Sequence, residues 1–374
     1  MKRNKSISIL TVVCIMLVAF MMLMPACAGK EAPAPAPAPA PAPKPAPAPA
    51  PAPAPKQVRE MKLGHWGSPA CVAQYEAFKK EVEQKTNGQL KINIFGKGAL
   101  GNFTTHMDLL LSGGIDFAMY MPVYFAGKYP LFEIFSLPFI TDNLRVHGLA
   151  LDELVEKGLL DKVYYDVHHV APGATPPSHL LTKDKQIKVP ADLKGLRVRA
   201  VGGTSTQALE KAGAAAVTVP YPEVYSAFEK GVVDAAVAGY DVSQAMKLDE
   251  FVRNVAEINA ISTVIMLAMN KQSYQSLSPE FQKIIDEAGF NSWEAHYKAY
   301  DDYIVKEGKA NIIAKGGTIY VPTDAEMKLW RDAFELVWDD WFQKTESAGL
   351  QGKALMHEYG VIVKRLGGKW PYNY

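Results

Sequence analysis

From Met61 onward the apolar and polar residues fall into two alternating rhythms, short runs with a period of two and longer runs with a period near 3.6. Met61–Gly64 reads as a first strand. Ser68-Pro69 then opens a helix, with serine in the N-cap place and proline at the first position. Tyr75, Phe78 and Val82 carry its apolar face, and Gly88 stops it. Leu90–Phe95 sets Leu and Ile against Lys and Asn and predicts a second strand. Thr104–Leu111 reads as a helix ended by Gly113-Gly114, and Ile115–Tyr120 as the strand that follows.

The same order repeats further along. Leu196–Val201 predicts a strand, Thr204–Ala212 a helix, Ala216–Val219 a strand, Pro222–Lys230 a helix and Val232–Val237 a strand. Helix–Gly–Ile115-Asp116-Phe117-Ala118 and helix–Gly–Val233-Asp234-Ala235-Ala236 echo one another. Alternating β and α elements argue for parallel-type sheets covered by helices, and two such units predict two similar lobes with a cleft between them. The fold class is therefore α/β.

Ser278-Pro279 caps a further helix that runs to about Ala314, with Gly289 a candidate break; this is longer than an ordinary globular helix. A short strand, Thr318–Val321, leads into the capping box Thr323-x-x-Glu326 and another helix. Leu329, Trp330, Phe334, Val337, Trp338 and Trp341 recur there at helical spacing, an aromatic stripe that reads as packing.

The first 56 residues follow neither rhythm. Lys2, Arg3 and Lys5 precede a largely apolar, uncharged run from Ile7 to Leu23, the pattern of a secretory signal ending near Ala28. Two cleavage readings stand side by side. Ala26-Cys27-Ala28 fits the small-x-small rule, while Met24-Pro25-Ala26-Cys27 is an imperfect lipobox that would leave Cys27 carrying lipid. Residues 29–56 are then a linker, almost pure Ala-Pro from Ala32 to Pro55. Proline fixes φ and removes donors, so this stretch favours polyproline II and could reach roughly 70 Å as a semi-rigid stalk. Such a stalk favours the lipid-anchored reading.

The 40 basic and 39 acidic residues become 37 and 39 once Lys2, Arg3 and Lys5 are removed. No basic tract interleaved with aromatics is visible, which argues against nucleic acid as a partner. Of the cysteines, Cys14 lies in the signal, Cys27 at its end and Cys71 in the body, so the body can form neither an internal disulfide nor a cysteine-based metal site. No metal, catalytic or cofactor motif is found. Gly202-Gly203-Thr204 lacks the Gly-Lys-Ser/Thr ending of a phosphate loop, and His168-His169 would point to opposite sides of a strand. Neither His-Glu-x-x-His nor Gly-x-Ser-x-Gly occurs.

One segment does carry chemistry. Asp192-Leu193-Lys194-Gly195-Leu196-Arg197-Val198-Arg199 is a turn feeding a strand, with Arg199 near the strand's carboxyl end. In an open α/β sheet that end faces the ligand crevice. Gly231-Val232-Val233-Asp234 opens a further strand. Together with the secretion signal, the passage from Thr86-Asn87-Gly88 to Phe95 and the Leu137-Pro138-Phe139 turn, these segments resemble the substrate-binding subunit of TRAP (tripartite ATP-independent periplasmic) transporters of the dicarboxylate-binding DctP type. The resemblance spans Leu63 to about Gly349.

It implies a two-lobed periplasmic-binding-protein-like fold with a ligand cleft between the lobes and a long interlobe helix. Lobe I would take residues 57–177, with about 265–304 returning to it. Lobe II would take 178–264, completed by about 305–374. The implied function is an extracytoplasmic receptor, not an enzyme, that binds a small organic acid and hands it to a small and a large TRAP membrane subunit. A ligand-sensing or presenting protein, or an enzyme on the same lobed fold, is the alternative.

Within the resemblance, Arg199 is the carboxylate clamp, because a guanidinium pairs with both carboxylate oxygens at once. Arg197 shares its strand face but sits about 6–7 Å further from the carboxyl end, and reads as a solvated or salt-bridged neighbour. Many family members carry a second arginine about twenty residues earlier, where this chain has His179. Two readings of His179 stand open: a polar contact in a site with one strong clamp, or a surface histidine beside Pro176-Pro177. Relatives also have a polar stretch after the position of Asp234, where this chain has Ala235-Ala236-Val237-Ala238-Gly239-Tyr240. Tyr240, Asp241 and Ser243 are the nearest polar replacements, with Tyr240 preferred for its amphipathic ring. From the first lobe, Trp66, Tyr120 and Tyr124 stand at strand ends where they could stack on or hydrogen-bond a ligand, or each could equally be a core aromatic.

Overall fold

The computed structural model of the chain describes residues 58–101, 103–125, 127–161, 166–370 and 372. The expected signal, the Ala-Pro linker and Cys27 lie outside the described residues. The strands there are β1 (Arg59–Gly64), β2 (Leu90–Phe95), β3 (Phe117–Tyr120), β4 (Val167–Ala171), β5 (Ser178–Thr182), β6 (Arg197–Ala200), β7 (Ala215–Thr218), β8 (Ala235–Ala238), β9 (Asn254–Ile261), β10 (Met266–Asn270) and β11 (Thr318–Tyr320).

They form two sheets. One has the order β2-β1-β3-β10-β4, the other β11-β9-β5-β8-β6-β7. The βαβ passages read from the sequence give parallel pairs: β1 with β2 and β3, and β6 with β7 and β8. The sheets are mixed rather than parallel throughout. β10 runs antiparallel to β3 and β4, and β5 antiparallel to β8 and β9. These antiparallel strands flank two of the three places where the chain passes from sheet to sheet, β4 to β5 and β9 to β10; the long helix makes the third, β10 to β11. The passages pair with each other: Thr175 N donates to Thr263 O at 2.7 Å, and Ile265 N to Gly173 O at 2.9 Å.

The two Asp-bearing echoes occupy matching places in the two sheets. Asp116, just before β3, accepts from the Lys62 backbone within β1 at 2.9 Å, and Asp234, just before β8, from the Arg197 backbone at the start of β6 at 3.0 Å. Each carboxylate ties the start of one strand to its neighbour.

The long helix begins as expected, with the Ser278 side chain accepting from Phe281 N and Pro279 at its first position. It runs from Pro279 to Ala299, passes through a π-helical turn at Tyr300–Ile304 and continues over Val305–Ala314. Gly289 does not break it. A Cβ there would collide with Val170 O, so glycine lets the helix lie directly on β4. The capping box at Thr323 and Glu326 forms, Thr323 N donating to Glu326 Oε2 at 2.8 Å. Of the aromatic stripe, Trp330, Phe334, Val337, Trp338 and Trp341 are buried and Leu329 is exposed. Each of its three indoles also donates to a backbone carbonyl, of Lys188, Pro138 and Pro130.

Candidate functional site

The Asp192-to-Arg199 segment is built to aim one side chain. Asp192 Oδ2 accepts from the backbone of Lys188 at 2.9 Å and Val189 at 3.1 Å, closing a short 3₁₀ turn. Gly195, at φ +81°, then reverses the chain, a conformation L side chains resist. β6 that follows lies between β7 and β8. Arg197, at its exposed amino end, makes a two-point pair with Asp234: Nη2 to Oδ1 at 2.6 Å and Nε to Oδ2 at 3.0 Å.

Arg199 is 2 % exposed. Its Nε donates to Val219 O at 2.9 Å and its Nη1 to Val237 O at 3.1 Å, carbonyls just past β7 and within β8. The Tyr124 hydroxyl, reaching over from the first sheet, also accepts from it. Among the described residues no carboxylate pairs with it. Carbonyls and a phenol satisfy the N–H groups but leave the charge uncompensated, and an uncompensated buried charge is costly. Burial accordingly pulls the Arg199 pKa down, against the opposing pull of Tyr124 and Tyr221.

Arg199 lines a cavity where strand ends of the two sheets face each other. Met119, Met121, Val123, Val201, Ile261 and Ile265 make most of its wall apolar, and Thr175 and Thr263 bring the two passages to it. Trp66 closes one side. Its Nε1 donates to Gly101 O at 2.7 Å, and its ring lies over Gly98, where any Cβ would collide with the indole. Nearby, Thr204 Oγ1 donates to Ser136 O at 2.6 Å, a further tie between the Gly202-Gly203 loop and the first sheet's side.

Ser68, Asp241 and Tyr221 also reach this cavity. Ser68 does not cap its helix, but points toward Cys71 Sγ at 3.8 Å and donates to the Asp241 carboxylate. Asp241, 6 % exposed, also accepts from its own and the Val242 backbone N–H, and burial pushes its pKa up to about 6. Tyr221, 9 % exposed, has a hydroxyl with no hydrogen-bond partner among the described residues.

Of the residues singled out from sequence, the structure brings Arg199, Trp66, Tyr124 and Asp241 together on the cavity wall. His179, Tyr240 and Tyr120 lie off it. His179 is buried against the Tyr240 ring, centroids 4.9 Å apart, and burial pulls its pKa down to about 4. Tyr240 donates to Glu257 Oε1 at 2.7 Å, and Lys309 pairs with the same oxygen at 2.6 Å. Tyr120 packs between Phe125 and Tyr129 in the core, while its neighbours Met119 and Met121 face the cavity. Tyr221 was missed, although it follows β7 through Pro220 at the same carboxyl-end level as Arg199. His168 Nε2 bonds Asp286 Oδ1 at 2.7 Å, and among the described residues no three His, Cys, Asp or Glu side chains gather as a metal site.

The profile of bacterial extracellular solute-binding proteins, family 7 (DctP), matches residues 67–345. The chain is 27% identical over 286 residues to the 2,3-diketo-L-gulonate-binding periplasmic protein of Escherichia coli, covering 73% of this chain and 83% of that one. It is 26% identical over 299 residues to a monocarboxylate 2-oxoacid-binding periplasmic protein of Nostoc, covering 78% and 80%. Among solved structures, a TRAP solute-binding protein from Rhodoferax ferrireducens in complex with copurified benzoate superposes with a TM-score of 0.78 at 25% identity, covering 83% of this chain and 99% of that one.

Proposed function

This chain belongs to the bacterial extracellular solute-binding proteins of family 7, and we propose that it is the extracytoplasmic receptor of a TRAP transporter for a small carboxylic acid. One observation carries the reading: Arg199 is 2 % exposed, has no carboxylate partner among the described residues, and lines a largely apolar cavity. A ligand carboxylate supplies the missing counter-charge and leaves the rest of the ligand against Met119, Met121, Val201, Ile261 and Ile265. The benzoate of the Rhodoferax relative and the 2-oxoacid of the Nostoc relative are ligands of this kind, one carboxylate on a compact body.

Trp66 and Tyr124 on the first sheet's side and Arg199 on the second would hold the ligand from both lobes. A ligand can drive closure only through contacts that differ between the open and closed states. A ligand held by Arg199 on one side and by Trp66 and Tyr124 on the other would make such contacts when the cavity closes. The chain would change lobe within residues 171–178 and 261–266, where the paired passages would act as the hinge, and again along the long helix between β10 and β11. Export by the amino-terminal signal, anchoring through Cys27 and reach through the Ala-Pro stalk would place the receptor beside a small and a large permease subunit.

The test is a thermal-shift screen against small mono- and dicarboxylic acids, after unfolding and refolding to strip carried-over ligand. A ligand that binds only the native state adds roughly 2.7 kcal/mol of apparent stability at a hundred-fold excess over its Kd. A shift with a few related acids that disappears in Arg199→Ala supports the receptor. Chemical turnover of the bound acid would favour an enzyme on the same fold.

A further inference from the structure

Besides Arg199, the cavity wall carries a second buried charge-bearing group. Asp241 is 6 % exposed, and no Lys, Arg or His pairs with it among the described residues. Its carboxylate accepts from two backbone N–H groups and the Ser68 hydroxyl. A carboxylate offers about four acceptor positions, so room for one more donor is left. Tyr221, 9 % exposed on the same wall, lies close enough to feel the charges of both Asp241 and Arg199, yet its buried hydroxyl bonds neither. A buried phenol without a partner forfeits a hydrogen bond it would have in water.

The geometry points to Asp241 and Tyr221 as the specificity-determining pair of the cavity: they receive a hydrogen-bond donor, a hydroxyl or an ammonium, on a ligand whose single carboxylate is held by Arg199, and they turn away a second carboxylate. This rests on the carboxylate reading above and narrows it. A ligand hydroxyl can donate to Asp241 and accept from Tyr221, satisfying both groups at once. A second carboxylate brought beside Asp241 offers no proton and sets like charges together in an apolar enclosure.

The test uses the stripped chain and calorimetry with four probes on one ring, benzoate, 3-hydroxybenzoate, 3-(aminomethyl)benzoate and isophthalate, and in parallel 4-methylpentanoate with its 2-hydroxy and 2-amino forms. On whichever scaffold binds, a donor-bearing acid should bind at least about ten-fold tighter than the unsubstituted acid, the worth of a hydrogen bond to a charged group. Isophthalate should bind weakest of its series. Asp241→Asn should shrink the donor preference about ten-fold and raise the relative affinity of isophthalate, and Tyr221→Phe should shrink the preference a few-fold. The hydroxyl and ammonium arms decide between a hydroxy acid and a zwitterion. Equal binding of substituted and unsubstituted acids by the wild type, or parallel losses in both variants that leave the ratios fixed, would overturn the inference while the receptor stands. Binding of no acid, or binding that survives Arg199→Ala, would instead overturn the carboxylate reading.

Discussion

β6 holds one arginine at its amino end and another two residues on, near its carboxyl end, about 6–7 Å apart on one strand face, and they live under opposite conditions. At the amino end Arg197 is exposed and neutralised by Asp234 through two hydrogen bonds. At the carboxyl end Arg199 is buried, bonded to neutral acceptors, and left with its charge. The first arrangement closes on itself and asks nothing of a ligand. The second is incomplete, and an incomplete buried ion marks a site more sharply than its residue type does. The same contrast separates two aspartates: Asp234 is held below the usual carboxylate range by Arg197, whereas burial raises Asp241 to about 6.

The contrast can be broken by mutation, and Arg199→Ala should do most. Removing the buried partner of a carboxylate costs about 2–5 kcal/mol, so calorimetry should find affinity for a carboxylate ligand at least about thirty-fold lower. Next comes Asp241. Its folded pKa lies above its unfolded value of 3.8, so the native state binds the extra proton, and stability falls as pH rises from about 4 to about 6. Asp241→Asn lacks this titration. The stability of the variant relative to wild type, read from denaturant melts of the ligand-free chain, should therefore rise by about 3 kcal/mol between pH 4 and pH 7. A flat difference would mean that Asp241 is not held in an uncompensated, buried place.

Arg199→Lys sharpens the comparison further. It keeps a charge but loses the planar fork, and about a ten-fold loss of affinity is expected by calorimetry. Smallest of all is Arg197→Ala, which removes only a solvent-exposed pair and should leave affinity within about two-fold.

Much of this was legible before the structure. The Asp192–Gly195 turn, the strand that follows and the place of its last arginine near the carboxyl end come from local rules of turn chemistry and sheet topology. So do the Ser278 and Thr323 caps and the tryptophan stripe. The antiparallel strands beside the crossings were not legible in the same way. β5 and β10 are buried along their whole length, so Ser178–Thr182 and Met266–Asn270 show no alternation to read.

The site residues show how fine the margin is. His179 and Ser178 are neighbours on β5, yet only Ser178 lines the cavity, because adjacent strand residues face opposite ways. Tyr240 and Asp241 open one helix; the phenol turns to Glu257 and the carboxylate to the cavity. Choosing between neighbours requires a register that one sequence does not supply. Ser68 departs from its expected capping role for a related reason, since its hydroxyl serves Asp241 instead. Local rules fail there because the site makes a competing demand.

The most direct test of the account is one calorimetric series, in which a carboxylate that stabilises the stripped wild-type chain is titrated into wild type, Arg197→Ala and Arg199→Ala. The account predicts matching isotherms for the first two and no measurable binding for the third at the same concentrations. Binding by Arg199→Ala within about three-fold of wild type, outside the range expected for loss of a buried charge partner, would contradict it.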